Sequence, residues 1–165
     1  MSSAASLPGS AAAGLLVDTN LLVLWVVGGV NRNRIERFKR TSGYTKGDFD
    51  LLLRVLARFN PLYTVPHVLA EVSDLTDLPG AEGQQARRFL KRTISLLKEA
   101  EMPSARAAED VLYPKLGLVD AAIGAVARGH DCTVLTDDQE LFLRLSREEV
   151  DVIYFRYLRE RGFTG

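Results

Sequence analysis

GLLVDTN, residues 14–20, is the stretch from which the rest of the chain is read. A short, continuous apolar run at 14–17 that ends at a carboxylate reads as a strand buried on both faces, the kind found in parallel sheets. Asp18 then stands just past the carboxyl end of that strand, where open α/β sheets form their sites. The apolar stretch Leu21 to Val27 is expected to begin the first helix, and Gly28-Gly29 to end it.

Working outward, the alternation continues. Residues 31–46 are polar and basic and read as a loop with one helical turn. Asp48 is expected to cap a helix from Phe49 to Phe59, in which Leu52, Val55, Leu56 and Phe59 recur at helical spacing. Asn60-Pro61 breaks that helix. Leu62 to Val65 reads as a second strand, and Pro66 suits the first turn of a helix carrying Glu71. Gln84 to Ala100 is amphipathic, and 104–112 makes another short helix. The region ahead of Asp120 shows no clear strand. Asp120 opens a small-residue helix to Arg128, closed by Gly129. Strand Thr133 to Leu135, helix Gln139 to Ser146 and strand Val150 to Ile153 complete the pattern, with Val150 to Leu158 read as the last core strand. Alternating β and α elements predict an α/β fold, a three-layer α/β/α sandwich with a mostly parallel central sheet. Residues 1–13 are expected to be a flexible N-terminal lead-in and 14–165 a single domain.

A length of 165 residues suits one domain with a sizeable core. The 21 basic and 21 acidic side chains cancel, so any attraction for a polyanion must come from a local patch. Cys132, inside the apolar run CTVLT, fits a reducing compartment and an inert core thiol. The uninterrupted run Leu21 to Val27 is far short of the roughly 20 residues a membrane helix needs. The N-terminus lacks the basic start of a secretory signal, so a cytoplasmic protein is expected.

Carboxylates mark the ends of the apolar segments: Asp18 in GLLVDTN, Glu71 in VPHVLAEV, Asp120 in GLVDAAIGAVA and Asp138 in CTVLTDDQEL. Burying one such group is costly, and gathering several is worse, because like charges raise one another's pKa. A divalent cation removes that penalty, and hard oxygen ligands suit Mg²⁺ or Mn²⁺. Such an ion would acidify a water for in-line attack on phosphorus, with no histidine or lysine base required.

In this order, Asp18-Thr19-Asn20 after an apolar strand, Glu71 in VPHVLAEV, LGLVDAAIGAVARGH and VLTDDQELF resemble the PIN-domain nucleases, and are similar to the VapC-type toxin ribonucleases. The resemblance covers about residues 14–145. It implies a Mg- or Mn-dependent endoribonuclease whose catalytic, metal-holding acids are Asp18, Glu71, Asp120 and Asp138. It also implies that Asn20 and Thr136 hold the first and last acids by hydrogen bonds. Asp138 lies two residues after Thr136, as the family pattern has it, while its neighbour Asp137 is the alternative or an additional ligand. By the same resemblance the chain would be the toxin of a toxin–antitoxin module, a homodimer with a cognate antitoxin. Residues 28–60 are longer and more basic than the matching part of compact toxins.

RNA would be gripped by the cluster Arg32, Arg34, Arg37, Lys39, Arg40 and Lys46, opposed there by Glu36. Tyr44 and Phe38 offer stacking surfaces beside it. Arg87, Arg88, Lys91 and Arg92 read equally well as a solvated helix face. His67 has helical spacing to Glu71 but is not expected to be a ligand, since the acids already suit a hard cation. A non-catalytic RNA-binding or scaffold module of the same fold is disfavoured, because it would retain uncompensated acids. A haloacid-dehalogenase-like phosphatase needs a second Asp two positions after the first, where Asn20 stands.

Overall fold

The structure is a computed structural model that describes residues 14–162; the expected lead-in, 1–13, lies outside them. Three residues suffice for β1, Leu15–Val17, because all are fully buried and the strand is paired along both edges. It runs parallel to β2, Leu62–Thr64, through Leu15↔Leu62 and Leu16↔Tyr63. On its other side it pairs with β4, Thr133–Thr136, through Leu15↔Thr133 to Val17↔Leu135. β3, Lys98–Glu99, and β5, Val152–Tyr154, extend the edges, giving an all-parallel five-stranded order β3-β2-β1-β4-β5. The chain thus builds leftward from β1, then crosses back and builds rightward from β4. Right-handed crossovers put the helices of the two halves on opposite faces, completing the α/β/α sandwich.

The first half holds α1, Thr19–Val30, α2, Lys46–Leu56, α3, Pro66–Leu75, and α4, Ala81–Leu96. The second holds α5, Ser104–Ala108, α6, Tyr113–Leu116, α7, Leu118–His130, and α8, Gln139–Arg147; α9, Phe155–Arg161, comes after β5. Among the described residues no helix is long and apolar enough to cross a membrane. Cys132 is buried and its thiol is pushed up to about 11, chiefly by desolvation, as expected of an inert core group.

Several expected boundaries move, each for a local reason. Gly28-Gly29 does not end α1. An added Cβ on Gly28 would lie 2.3 Å from the Phe49 ring, and one on Gly29 2.2 Å from the Phe89 ring. The glycines let α2 and α4 approach α1 rather than break it. Thr45, not Asp48, caps α2: its hydroxyl accepts from the Asp48 N–H while the Asp48 carboxylate accepts from the Thr45 N–H, a reciprocal capping box. α7 begins at Leu118 and passes through Gly129 to His130, closed by Asp131 in the left-handed conformation (φ 50°). The amphipathic stretch ends at Leu96 and gives way to β3, a strand the sequence did not reveal. The C-terminal apolar run divides, β5 covering only 152–154 and α9 taking up the rest.

The ring contacts at Gly28 give a direct test. In Gly28→Ala, overpacking against Phe49 costs about 1–3 kcal/mol, while the gain in helix propensity returns at most about 1 kcal/mol. Urea unfolding should show a lower midpoint, partly restored in the double variant Gly28→Ala/Phe49→Leu.

Candidate active site at the carboxyl ends of β1 and β4

The sheet order reverses between β1 and β4, the place where open α/β sheets form a crevice at the carboxyl ends of their strands. Asp18 sits there, only 5% exposed, and its N–H extends the ladder by donating to the Leu135 carbonyl at 2.9 Å. It is also the N-cap of α1. Its Oδ1 accepts from the Thr19 N–H at 2.7 Å, and its Oδ2 accepts from the Thr136 hydroxyl at 2.6 Å. Thr136 in turn accepts from the Asp138 N–H at 3.0 Å, so one buried hydroxyl joins the first and last acids.

Asp138 caps α8, its Oδ1 accepting from the Leu141 N–H at 2.8 Å. Glu71, half-buried on α3, accepts from the Thr19 hydroxyl at 2.9 Å. Asp120 lies in the first turn of α7, just after Gly117, whose φ of 83° makes the sharp entry that a side chain would strain.

The electrostatics show that these acids share a neighbourhood. Burial pushes Asp18 up to about 6, with Asp138 and Glu71 adding to the rise. Asp120 is pushed up to about 7, first by desolvation and then by Asp18, Asp138, Glu71 and Glu140. Glu140, in the first turn of α8, is exposed yet near enough to act on Asp120. Among the described residues, however, no three Asp, Glu, His or Cys side chains already form a cage around one point. Oxygens of Glu71, Asp18 and Asp138 are instead engaged by Thr19, Thr136 and the first turn of α8.

The donor set nevertheless fits a hard divalent ion in kind: all oxygen, anionic, and in excess of any local cation. Asp18, Glu71, Asp120 and Asp138 are the residues that could hold one.

The supporting residues fall out differently from the reading of the sequence. Asn20 is exposed and hydrogen-bonds no other described side chain; its neighbour Thr19, buried at 5%, makes the link to Glu71. Asp137 lies 3.8 Å from the Arg159 guanidinium and next to Tyr44, with one oxygen buried and unpartnered among the described residues. Its carboxyl is raised by desolvation, against lowering contributions from Tyr44, Arg159 and Arg156. Tyr44 is no stacking surface for a substrate: it is buried against Phe155 and under Arg159, and Phe38 is packed on the core.

The basic cluster is partly spent internally. Arg32 makes a bidentate pair with Asp50, Arg34 pairs with Glu82, and Lys46 donates to Asn33. Glu36 is therefore not the sole opposing acid. Arg37, Lys39 and Arg40 stand exposed without an ion-pair partner among the described residues. His67 is bonded to Ser104, and His130 packs on Tyr63.

A doubly wound parallel sheet with acids near its switch point defines an α/β/α domain with a candidate metal site. The family model for the PIN domain matches residues 15–148, and the chain belongs to that family, whose members are generally metal-dependent nucleases. No curated protein and no solved structure matches the chain.

The raised acids set a pH dependence. A carboxyl whose folded pKa exceeds its unfolded value binds protons more tightly when folded, so its contribution to stability falls as pH rises between the two values. For Asp18 and Asp120 that window runs from the ordinary value of 3.8 to about 6 and about 7. In chelator, Asp120→Asn should therefore melt higher than wild type at pH 7.5. The gap should narrow as the pH falls towards 5, as thermal melts across that range would show.

Proposed function

We propose that the chain is a divalent-metal-dependent endoribonuclease acting at Asp18, Glu71, Asp120 and Asp138. The feature that carries this reading is the placing of buried Asp18, hydrogen-bonded to Thr136, with Asp138 and Glu71 beside it at the switch point of a PIN domain. Desolvation first, and then the neighbouring acids, raise Asp18 and Asp120. A protein keeps such a costly set where something cationic offsets it.

When bound, Mg²⁺ or Mn²⁺ would supply that charge, polarise the phosphodiester and acidify the attacking water. The chain's own part is orientation. Thr136 and the Thr19 N–H fix both oxygens of Asp18, and the α1 N-terminus holds that carboxylate at the positive end of a helix. The Thr19 hydroxyl holds Glu71, and Leu141 holds Asp138. RNA as the substrate is supported by the resemblance to toxin ribonucleases and by exposed Arg37, Lys39 and Arg40, which suit phosphate contacts. A toxin role in the cytoplasm, as a homodimer with a cognate antitoxin, rests on the resemblance; a small antitoxin-like reading frame beside the gene is its simplest test.

Asp18→Asn should abolish Mg²⁺- or Mn²⁺-dependent cleavage of a labelled transcript while the circular dichroism spectrum is retained. Thr136→Val, which leaves every acid in place, should lower the rate about 10–100-fold, as loss of a supporting hydrogen bond does at metal centres. A folded Asp18→Asn protein that still cleaves at the wild-type rate would refute the assignment.

A further inference from the structure

β5 ends beside β4, with Thr136 paired to Tyr154, so the turn from β5 into α9 borders the acid site. This border is aromatic and cationic. Phe142 of α8 stacks on Tyr154 with centroids 4.9 Å apart and planes within 13° of parallel. Tyr157 of α9 stands nearly perpendicular to both, at 5.8 and 5.0 Å. Tyr154 is buried and Phe142 half-buried, so these two form a floor, while Tyr157 is left 47% exposed. Arg156 lies 6.0 Å over Tyr154 and Arg161 lies 5.7 Å over Tyr157. Both arginines are exposed, and neither forms a salt bridge with a described residue. Glu160 is the one acid on α9. Arg159, two residues beyond Tyr157, reaches Asp137, the sequence neighbour of Asp138, and Arg156 acts on the same carboxyl.

We infer that Tyr157, framed by Arg156 and Arg161, is a stacking subsite for single-stranded nucleic acid, seating a base of the strand whose backbone lies at the acid site. The inference rests on the nuclease reading of that site. Charge complementarity selects the occupant: a polyanion is repelled by the acids themselves and needs cations alongside, which α9 supplies. A ring backed by other rings and bordered by guanidinium groups accepts any base by its π face. A duplex keeps its bases stacked internally and cannot offer one, so the strand must be single.

The test is fluorescence anisotropy of the full chain in chelator, where cleavage is off, with a short labelled single-stranded RNA and its duplex form. Tyr157→Ala should weaken single-strand binding roughly tenfold. Tyr157→Trp should keep it, and Arg156→Ala and Arg161→Ala should each weaken it and flatten its salt dependence. Tyr157→Ala should lose some stability with its ring contacts but stay folded, with the wild-type circular dichroism spectrum at the assay temperature.

No wild-type binding, equal affinity of Tyr157→Ala and wild type, or equal losses on duplex and single strand would each overturn the subsite. So would a Tyr157→Ala variant that turns a dimer into a monomer with RNA affinity unchanged, which would give this face to a second copy of the chain. Cleavage assays with metal on the same proteins separate the two readings. A wild type that binds through Tyr157 but never cuts sinks the nuclease assignment alone, whereas one that cuts and ignores Tyr157 sinks the subsite alone.

Discussion

Asp18 is taken out of water at the end of the central strand, and no arginine or lysine among the described residues forms a salt bridge with it. That uncompensated burial is the constraint on which the rest of the site depends. Two hydrogen bonds and the N-terminus of α1 offset part of the cost, yet the carboxyl still rises to about 6 because desolvation outweighs them. A nearby cation exists: Arg159 lies beside Asp137, next in sequence to Asp138. Its side chain is committed to Asp48 at 2.9 Å, to the Gly43 carbonyl at 3.0 Å and to Asp137. The arginine pairs with Asp48 and approaches Asp137, and forms no salt bridge with Asp18, Glu71, Asp120 or Asp138. On the nuclease reading this division is functional, since an arginine salt-bridged to Asp18 would take the place a metal ion needs.

The same arrangement fixes the geometry. Thr136 joins β4 to β1 through Asp18, and Thr19 joins α1 to α3 through Glu71, so two hydroxyls tie four elements around the switch point. α1 can lie close against α2 and α4 only because Gly28 and Gly29 present no side chain to Phe49 and Phe89. On the outer side, Arg159 clamps α9 to the basic segment ahead of α2, with Tyr44 wedged between Arg159 and Phe155. The extra basic segment is thus attached to the same end of the sheet as the acids.

The elements legible in the sequence had a strong local signature. β1 and β4 are apolar runs closed by polar residues, and the fold class came from their alternation with helices. β3 had no such signature: Lys98 and Glu99 are both exposed, and only backbone pairing with Tyr63 and Thr64 makes them a strand. The glycine pair looked like a stop because helix propensity is local, whereas the rings that require it come from α2 and α4. Asn20 resembled the family's supporting residue, but in the helix it faces solvent while Thr19 turns inward. Tyr44 looked like an accessible ring in a basic loop; that Phe155 and Arg159, more than a hundred residues later, would bury it has no local trace.

Zero net charge conceals a strong separation of charge. Acids gather at the switch point, while three cations of the basic segment remain unpaired after Arg32 and Arg34 are taken by Asp50 and Glu82 and Lys46 by Asn33. Pairing of that kind stabilises the segment's shape at modest gain, since the Arg32–Asp50 pair is well exposed. Arg37, Lys39 and Arg40 find no ion-pair partner among the described residues, and like charges so close in sequence repel one another. On the nuclease reading, such cations suit a partner outside the chain. A polyanion is the partner whose charge both relieves that repulsion and, in a nuclease, must be drawn towards acids that would otherwise turn it away.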